Sequence, residues 1–431
     1  MLALFETACV PPDRWALGME WEKEIVDSNG RRITFEEPGG IQDALRAMAA
    51  RTGWSTHHEG EYIVGLDGDG SHVTLEPGAQ VEVATPPRRT LAELEEDLRS
   101  HLRALQGAFA GLDAHILSTA FTPIQAVSDI PFVPKGRYAV MRSYLAQTGE
   151  LAHAMMKGTT SAQYALDFSS EADCGAKLEV ALGVSALVTA LTANSPLAAG
   201  RPSGDLSHRA RAWLQTDPAR TRIPGDVVGA FSFEKYLDWA LSVPMMFVHV
   251  GGAWVDAGAR TFAQWSLRGI DGHFPSMRDF DLHLTSLFPD VRLKGFLEIR
   301  GADNGPMESI LGLGALWKGL LYDDAALGEG RDLCRALRAR CPEPALLDTA
   351  IGAGLAGTAG GRSLASWTTD LIAIAARGLA GQGVSVEVSR LDPLLERAES
   401  GRSPAADVLE AWAEASTSAE FLGRVSYPPS A

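Results

Sequence analysis

Short stretches of alternating apolar and polar residues recur along the N-terminal two thirds of the chain, and such alternation is typical of β-strands with one buried face. Residues 15–26, WALGMEWEKEIV, predict one strand, and residues 61–78, EYIVGLDGDGSHVTLEPG, predict a hairpin that turns at DGDG. Further strands are predicted in the segments HILSTAFTP, SAQYALDFS, MMFVHV and RLKGFLEIRGAD.

Apolar residues at the helical spacing predict the helices. Residues 40–52 and 90–110 are predicted helices, and Thr90 is placed to cap the second of them. A long apolar helix is predicted over EADCGAKLEVALGVSALVTALTA, and helical patterns rich in Ala and Leu dominate after residue 307. Because the strands are mostly not connected by regular strand–helix–strand units, we predict an α+β fold with an antiparallel sheet.

One predicted strand carries two carboxylates although its other residues suit a core. In the segment HVTLEPGAQVEVATPP, Glu76 and Glu82 are an even number of residues apart, so they are predicted to share a face. Leu75 and Val81 are predicted to point to the opposite face. Taken alone, a half-exposed strand with a solvated outer face explains this pattern equally well.

Three other predicted strands also carry polar side chains on a single face. These side chains are Glu20, Glu22 and Glu24 in GMEWEKEI, Gln163 and Asp167 in SAQYALDFSSE, and Glu298 and Arg300 in GFLEIRGADNGP. If the strands share a sheet, that face is an acidic floor on which neighbouring carboxylates raise each other's pKa. Divalent cations relieve this repulsion, and oxygen ligands favour Mg²⁺ or Mn²⁺, which usually also hold nucleotide phosphates.

The composition excludes several classes of partner. A formal net charge of -16 and a pI of about 5.1 argue against nucleic acid or an anionic membrane surface as the main partner. Four cysteines without a CxxC pair fit a reducing cytoplasm, and no signal peptide is visible. No apolar run reaches the ~18 residues that span a bilayer. We therefore expect a cytoplasmic protein without a membrane segment.

Arginines recur in segments that are predicted to be loops. A guanidinium group binds carboxylate or phosphate as a fork, so these segments could bind an anionic substrate. Their basic residues are Lys135, Arg137, Arg142, Arg209, Arg211, Arg220, Arg222, Arg292, Lys294 and Arg300. A solvated basic loop is the alternative for each of them. Neither GxxxxGK[ST] nor GxGxxG occurs at a predicted strand–helix junction, so ATP, if bound, is expected to be held through metal ions.

Eight segments, in order along the chain, resemble the plant and proteobacterial type of glutamate–cysteine ligase, the first enzyme of glutathione synthesis. They are YIVGLDGDGSHVTLEPGAQVEV, PKGRYAVMRSY, LDFSSEAD, TANSPLAAGRPSGDLSHRARAW, TDPART, FEKYLDWALSVPM, HLTSLFPDVRLKGFLEIRGADNGP and ALWKGLLYDD. The resemblance implies a glutamine synthetase-like core, in which a curved, mainly antiparallel sheet forms a funnel and helices pack outside it. It also implies a catalytic core over residues 1–325 and a helical C-terminal region, residues 326–431, packed on the same domain.

The implied reaction has two steps. ATP phosphorylates the γ-carboxyl of glutamate, and the amine of an amino-acid acceptor then displaces the phosphate. The implied cofactor is Mg²⁺ or Mn²⁺, with ATP as co-substrate, and we expect a monomer or a homodimer. The implied metal ligands are Glu20, Glu22, Glu76, Glu82, Gln163 and Glu298. The implied catalytic residues are Arg300 and Glu298, and the implied substrate- or nucleotide-binding residues are Arg137, Arg209, Arg220, Tyr236, Ala165 and Met246.

The chain departs from the family pattern at several polar positions. Ala165, Met246 and Met307 stand where the family has asparagine, tyrosine and tryptophan, and Lys157 replaces an arginine. A γ-glutamyl ligase with a more apolar acceptor than cysteine is therefore an alternative to glutamate–cysteine ligation. A hydrolase that uses a pair of carboxylates as acid and base is a distant alternative.

Overall fold

The computed structural model describes residues 1–270 and 272–429. Its strands are β1 Leu17–Val26, β2 Ser55–Glu59, β3 Tyr62–Gly68, β4 Ser71–Leu75, β5 Val81–Ala84, β6 His115–Leu117, β7 Ala162–Leu166, β8 Leu197–Ala198, β9 Arg201–Pro202, β10 Phe247–Val250, β11 Ala253–Asp256, β12 Val291–Leu293, β13 Leu297–Ile299, β14 Thr358–Ala359 and β15 Arg362–Ser363. Its α-helices are α1 Leu2–Glu6, α2 Ile41–Thr52, α3 Leu91–Ala108, α4 Gly136–Leu145, α5 Ala152–Gly158, α6 Glu171–Thr192, α7 His208–Leu214, α8 Gly225–Gly229, α9 Phe233–Ser242, α10 Phe262–Arg268, α11 Met277–Leu284, α12 Met307–Leu321, α13 Asp324–Arg338, α14 Glu343–Ala353, α15 Leu364–Gly381, α16 Asp392–Ser400, α17 Pro404–Glu414 and α18 Ser418–Arg424.

Nine of the described strands form one sheet, in the order β12-β13-β7-β1-β5-β4-β3-β2, and β6 also pairs with β1. The strand pairs of this sheet are antiparallel. The sheet does not close on itself, since β12 and β2 form its two edges. The prediction of an α+β fold with a mainly antiparallel sheet is confirmed.

The apolar residues that alternate with the acids build the core side of this sheet. Trp21 and Ile25 of β1 are buried, and so is Tyr164 of the neighbouring β7. The Tyr164 hydroxyl donates to the carbonyl of Ile310 in α12 at 2.6 Å. A Cβ at Gly314 would lie only 3.1 Å from Leu91 Cδ2, so glycine at this position lets α12 pack closely against the start of α3. Helix packing therefore covers the apolar side of β1 and leaves the acids on its opposite side.

Two segments that were predicted to be single strands are hairpins. The segment 72–87 divides into β4 and β5 at a turn in which the Glu76 amide donates to the Gln80 carbonyl at 3.0 Å. Ala79 in this turn has a φ of 67°, a left-handed conformation that costs a non-glycine residue roughly 1–2 kcal/mol. The segment RLKGFLEIRGAD likewise divides into β12 and β13. The relative facing of Glu76 and Glu82 therefore cannot follow from parity along one strand.

Helix α6 is the longest described helix and is mostly apolar. By length and composition it could cross a membrane, but 67% of its most apolar window is buried inside the protein. The first turns of α6 are polar, and its apolar part follows them. The helix begins after Ser170, whose side chain caps it by accepting from the Asp173 amide. The burial of α6 is that of a core helix.

The C-terminal helices pack against the helices that cover the sheet. The ammonium of Lys318 in α12 lies 2.7 Å from the carboxylate of the buried Glu387. The Tyr427 hydroxyl donates to the carbonyl of Gly305 at 2.7 Å. The boundary expected after residue 325 falls in the first turn of α13, and the division of the chain there stays a prediction.

Candidate active site

The strand register places the predicted acids on one face of the sheet. Glu22 of β1 lies directly opposite Glu82 of β5, and Glu20 lies opposite Gln163 of β7. Residues directly opposite each other in an antiparallel pair point to the same side. We call the following set the acidic face: Glu20, Glu22, Glu76, Glu82, Gln163 and Glu298.

Three carboxyls of the acidic face have strongly raised pKa values. Burial, followed by repulsion from Glu298 and Glu82, raises the pKa of Glu20 to about 8. Burial, followed by repulsion from Glu82 and Glu76, raises the pKa of Glu22 to about 8. Burial and repulsion from Glu76 raise the pKa of Glu82 to about 7. Full ionisation of these carboxyls near neutral pH therefore requires additional positive charge beside them.

Glu76 joins this group from the turn between β4 and β5. Its charge raises the pKa of both Glu22 and Glu82, which shows that its carboxylate is close to theirs. Glu82 accepts a hydrogen bond from the Thr74 hydroxyl at 2.8 Å. The Glu76 carboxylate accepts no hydrogen bond within the described part of the chain, so its oxygens are available to a ligand.

Glu298 differs from the other acids because protein cations surround it. Its carboxylate lies 2.5 Å from Arg292 Nη2, 3.0 Å from Arg300 Nη1 and 3.3 Å from Lys294 Nζ. Burial alone would raise the pKa of Glu298, but the three cations outweigh burial and hold this pKa well below its ordinary value. Glu298 is therefore ionised and already neutralised, and a metal ion would have to compete with these three side chains.

Gln163 connects the acidic face to Arg300. The Gln163 Nε2 donates to Glu22 Oε1 at 3.0 Å, and its Oε1 accepts from Arg300 Nη1 at 2.5 Å. The Arg300 guanidinium also lies 5.7 Å from the centre of the Trp213 ring. These contacts and the Glu298 pair hold the Arg300 fork beside the carboxyls with raised pKa values.

The donor chemistry of the acidic face fits a divalent cation, although no ligand shell is already assembled. Within residues 1–270 and 272–429, no three His, Cys, Asp or Glu side chains converge closely enough to hold a metal ion as they stand. Glu20, Glu22 and Glu82 supply only oxygen atoms, which Mg²⁺ and Mn²⁺ prefer. The carboxylates repel one another, and a cation bound between them would reduce this repulsion.

Arg137 is the predicted substrate-binding arginine that has a free donor near these acids. Its Nη2 donates to the Tyr138 hydroxyl at 3.2 Å, while its buried Nε has no partner among the described residues. The charges of Glu76 and Glu82 act on Arg137, which places it near them. Burial, with repulsion from Arg137, lowers the pKa of the neighbouring Lys135 to about 8. This cationic pair suits an anionic substrate group.

The other two predicted arginines are enclosed by the protein. Arg209 donates to the carbonyls of Arg300 at 2.7 Å and Gly301 at 3.3 Å. Arg220 has no exposed surface and pairs with Asp217 at 2.6 Å. Arg220 therefore holds neighbouring segments together and has no access to a substrate, whereas Arg209 supports the backbone that carries Arg300.

Two basic residues of the predicted loops lie beside Glu298, although the family resemblance gave neither of them a role in the site. Arg292 lies directly opposite Glu298 in the β12–β13 hairpin, and Lys294 lies in the same hairpin. A hairpin prediction for VRLKGFLEI would have placed Arg292 across from Glu298, because cross-strand pairs of opposite charge are favourable.

Comparison with known proteins decides the family. A family model described as glutamate-cysteine ligase family 2 matches residues 16–425, which is most of the chain. The chain belongs to the glutamate–cysteine ligase family. The chloroplastic glutamate–cysteine ligase of Brassica juncea is 36% identical over 423 residues, covering 95% of this chain and 80% of that protein. The corresponding protein of Nicotiana tabacum is 35% identical, covering 95% of this chain and 78% of that protein.

The family membership establishes the reaction class. The chain is an ATP-dependent ligase that joins glutamate to cysteine, a reaction of glutathione biosynthesis. The resemblance seen in the sequence is confirmed. A non-cysteine acceptor and a carboxylate-pair hydrolase are not favoured by these relatives.

Two solved structures share the fold of this ligase. The structure of glutamate–cysteine ligase from Francisella tularensis in complex with AMP has a TM-score of 0.60 at 12% identity, covering 95% of this chain and 87% of that chain. A bifunctional glutathione synthetase from Pasteurella multocida has a TM-score of 0.57 at 13% identity, covering 96% of this chain and 52% of that chain.

The expectation of a cytoplasmic protein is wrong by this comparison. The relatives from Brassica juncea, Nicotiana tabacum and Solanum lycopersicum are named as chloroplastic proteins. The cysteines are free in the structure, and free thiols indicate only a reducing compartment. The cysteine content therefore cannot distinguish the cytoplasm from another reducing compartment.

The departures from the family pattern lie mostly outside the acidic face. Met246 is buried in an apolar cluster with Leu145 and Met155, and Met307 is buried in the main core. The hydroxyl of buried Tyr236, a predicted binding residue, accepts from the Leu293 amide at 3.0 Å. These positions are explained by packing, and they do not form an apolar acceptor pocket.

Ala165 is the departure that lies at the candidate site. It pairs with Glu298 of β13 on one side and with Gly18 of β1 on the other, so its methyl group points to the acidic face. The loss of a polar side chain at Ala165 leaves room beside Glu298 without adding a hydrogen-bonding group.

Glu24 has the same parity as Glu20 and Glu22, but it belongs to a buried ion pair. Its Oε1 lies 3.0 Å from Arg32 Nη2, and neither side chain is exposed. Arg32 Nη1 donates to the Gly78 carbonyl at 2.6 Å, which ties β1 to the turn that carries Glu76. The sequence pattern could not separate Glu24 from the acidic face, because parity does not show which acid has a cation beside it.

We expect Glu24→Ala to lower the free energy of unfolding by about 3–5 kcal/mol, because it leaves the Arg32 guanidinium buried without a counter-charge. Urea unfolding followed by circular dichroism measures this change. Glu96→Ala is the matched control, since Glu96 pairs with Arg103 on the surface at 2.7 Å. It should lower the free energy of unfolding by less than about 1 kcal/mol. Equal effects of the two substitutions would contradict a stabilising role of the buried pair.

Proposed function

We propose that the acidic face is the place where the γ-carboxyl of glutamate is phosphorylated by ATP and then joined to the amine of cysteine. The observation that carries this proposal is the cluster of Glu20, Glu22 and Glu82, whose pKa values are raised to about 8, about 8 and about 7, beside the Arg300 fork. Phosphoryl transfer develops negative charge on the oxygens of the transferring group. A site that positions arginines, and acids able to hold a cation, around that group stabilises this charge. The AMP held by the Francisella tularensis ligase supports a nucleotide at the same fold.

Glu20, Glu22 and Glu82 are the residues that we propose to hold Mg²⁺ or Mn²⁺, with Glu76 at the edge of the group. Their oxygen donors and mutual repulsion support this assignment. When bound, the cation supplies positive charge that neutralises the phosphates of ATP and polarises the transferring phosphoryl group. We propose a different role for Glu298, which is to position Arg300, because its carboxylate is already paired with protein cations.

The arginines of the site act on the anionic groups of the substrates in this proposal. Arg300 stabilises the phosphoryl group during transfer, and Gln163 and Glu298 hold its guanidinium at 2.5 and 3.0 Å. Arg137 binds a substrate carboxylate or phosphate through its guanidinium, because its side chain is only partly buried. Arg209 positions Arg300 through the carbonyls of Arg300 and Gly301.

The acceptor is tested by measuring ATP consumption with glutamate and, in turn, each of the twenty amino acids and norvaline. We expect cysteine to give the highest kcat/KM and to exceed methionine and norvaline by about tenfold or more, because a small pocket discriminates against added methylene groups to this extent. A reaction without glutamate is the control for simple ATP hydrolysis. If methionine or norvaline outcompetes cysteine, the acceptor assignment fails while the ligase chemistry stands.

The metal-free protein should lose stability as the pH rises. The pKa values of Glu20 and Glu22 are about 8 in the folded protein and that of Glu82 is about 7, above the values near 4.3 of an unfolded chain. The folded state therefore binds protons that the unfolded state has lost, and stability falls between about pH 5 and about pH 8.

Differential scanning fluorimetry in EDTA measures this loss as a fall in Tm across that pH range. Excess Mg²⁺ should restore the Tm mainly at the upper end, because the cation binds the ionised carboxylates. Glu82→Gln should flatten the pH dependence, since it removes one of the titrating groups. A Tm gain from Mg²⁺ that is equal at about pH 5.5 and about pH 8 would exclude binding at these carboxyls.

A further inference from the structure

Lys294 is the least constrained of the three cations around Glu298. The Arg292 side chain is 6% exposed, and its Nη1 also donates to two backbone carbonyls at 2.9 Å each. Arg300 is held by Gln163 as well as by Glu298. The Lys294 ammonium, by contrast, donates to Glu298 alone within the described chain, in the longest of the three ion pairs, and 23% of its side chain is exposed. Lys294 can therefore leave Glu298 more easily than either arginine.

The position of Lys294 in the chain gives its side chain room to move. It lies in the turn between β12 and β13, where its amide donates to the Phe296 carbonyl at 2.9 Å. A Cβ added at Gly295 would meet no atom within 4 Å, so the tip of this turn borders open space. The ammonium lies 5.1 Å from the centre of the Phe296 ring, a contact worth only about 0.5–1 kcal/mol at an exposed site. The flexible stem of lysine can thus redirect the charge without a change in the backbone.

More positive than negative charge surrounds Glu298. Among the described residues, Glu298 is the one carboxylate that forms an ion pair with Arg292, Lys294 or Arg300. Glu20 lies near but does not remove this excess, because burial and repulsion from Glu298 raise its pKa to about 8 and keep its carboxyl mostly protonated at neutral pH. Excess charge that is largely shielded from water is unfavourable until an opposite charge arrives. The excess therefore points to an anionic group as the ligand of this part of the acidic face.

Glu298 holds Lys294 and Arg300 side by side. Lys294 Nζ lies 3.3 Å from its Oε1, and Arg300 Nη1 lies 3.0 Å from its Oε2. Since Arg300 is the residue that we propose to contact the phosphoryl group, an anion bound there is within reach of the Lys294 ammonium. A transferring phosphoryl group spreads its charge over three oxygens, so it can accept from more than one cation.

We propose that Lys294 is a further catalytic residue, which leaves Glu298 when the substrates bind and donates to an oxygen of the γ-phosphoryl group beside Arg300. This assignment rests on the proposed function of the acidic face. Glu298 remains paired with Arg292 and Arg300 when Lys294 leaves, so no buried charge loses its last partner.

Lys294 acts in this step by its charge alone. The bond from the γ-phosphorus to the oxygen that bridges it to ADP breaks, and ADP leaves with that electron pair. A γ-carboxylate oxygen of glutamate forms the new bond to phosphorus. Lys294 keeps its proton throughout and stabilises the negative charge on the phosphoryl oxygens, a contact that strengthens in the transition state.

The experiment compares two substitutions of Lys294 by steady-state and single-turnover kinetics. Lys294→Met keeps the length of the side chain and removes its charge, so it should lower kcat by about a hundredfold and change the KM for glutamate and for ATP by less than about threefold. Lys294→Arg keeps the charge and should recover kcat to within about tenfold of the wild type. Single-turnover formation of the γ-glutamyl phosphate should slow by the same factor as kcat. Lys235→Met, at an exposed position in α9, is the control and should leave kcat within about twofold.

Chemical rescue separates a catalytic charge from a structural one. Propylammonium, which replaces the part of the side chain that Lys294→Ala removes, should raise the kcat of this variant saturably by about tenfold or more. Tetramethylammonium, which has the charge but no N–H donor, should not raise it. The Tm of Lys294→Met should stay within about 2 °C of the wild type, because Glu298 keeps two partners.

The proposal is overturned if Lys294→Met keeps kcat within about threefold of the wild type, or if it raises a KM at an unchanged kcat. A loss of kcat that neither Lys294→Arg nor propylammonium recovers also overturns it, because Lys294 would then have a structural role. Arg300→Lys, assayed in parallel, distinguishes this failure from that of the proposed function. If Arg300→Lys loses activity and Lys294→Met does not, the assignment of Lys294 alone fails, whereas full activity of both variants means that the acidic face is not the site of phosphoryl transfer.

Discussion

Glu22→Gln should lower kcat by about a hundredfold or more and at the same time make the metal-free protein more stable. Glu22 is 8% exposed and faces Glu82 directly across β1 and β5, and burial, followed by repulsion from Glu82, raises its pKa to about 8. The amide keeps the shape of the side chain and removes the charge. Above neutral pH it should therefore raise the free energy of unfolding by an amount on the order of 1–3 kcal/mol, because the repulsion is lost.

The opposite signs of these two effects distinguish a site for a cation from a solvated face. Activity is measured as a function of Mg²⁺ concentration, and stability is measured by urea unfolding in EDTA at about pH 8. Glu61→Gln is the control, since Glu61 is exposed at the turn between β2 and β3. This substitution should change kcat by less than about twofold and the free energy of unfolding by less than about 0.5 kcal/mol. A Glu22→Gln variant with full activity would mean that the Glu22 carboxylate takes no part in catalysis or in binding a catalytic cation.

The contrast between activity and stability also explains why so many acids can share one side of a sheet. A protein selected for stability alone would replace Glu20, Glu22 and Glu82 with residues that do not repel one another. Their presence in β1 and β5 costs stability in the protein alone, and the cation that we propose for this site would offset that cost. Strain of this kind is typical of functional sites rather than of solvated strands.

The sequence predicted the acidic face because strand geometry is simple. Side chains alternate along β1, so Glu20 and Glu22 had to share a side, and the buried Trp21 had to take the other. That Glu82 belongs to the same face needed the pairing of β1 with β5, which is a long-range contact. Alternation along each strand shows which of its residues share a face. The order of the strands in the sheet is needed to show which faces of different strands lie on the same side.

The roles of individual charged residues were harder to predict, because they depend on partners that are distant in the chain. Glu24 and Glu22 look equivalent in GMEWEKEI, yet Arg32 neutralises Glu24 while Gln163 contacts Glu22. Arg220 had a local signal, since Asp217 precedes it by three residues and forms its ion pair. An arginine that is already paired with an acid three residues away favours a structural role over substrate binding.

The resemblance to the family carried the function further than the residues alone could. From the residues, a metal site, a solvated face and a hydrolase pair all remained open. Membership of the ligase family over residues 16–425 favours the ligase over the hydrolase and over a face without catalytic function. It does not assign Tyr236 or Met246 to a pocket, because both are buried by packing in this chain. Positions carried over from a family pattern therefore need the structure before they are given a role.

Arg300→Lys should lower kcat by about a hundredfold and change the KM for glutamate by less than about threefold. Arg300 Nη1 donates to Gln163 Oε1 at 2.5 Å and to Glu298 Oε2 at 3.0 Å, so its fork is positioned before substrate binds. Lysine keeps the charge but cannot hold both neighbours and still offer donors to a phosphoryl group. The contact with phosphoryl oxygens should strengthen as the group transfers, which is why kcat rather than KM is affected.

Initial rates over a range of glutamate concentrations, with ATP and cysteine saturating, separate kcat from KM. Arg268→Lys, at an exposed position at the end of α10, is the control and should leave both constants within about twofold. Single-turnover formation of the γ-glutamyl phosphate should slow by the same factor as kcat, because Arg300 is proposed to act in the phosphoryl-transfer step. A rise in KM at an unchanged kcat would instead assign Arg300 to ground-state binding of glutamate. Gln163 would then position an arginine that binds substrate rather than one that acts in catalysis.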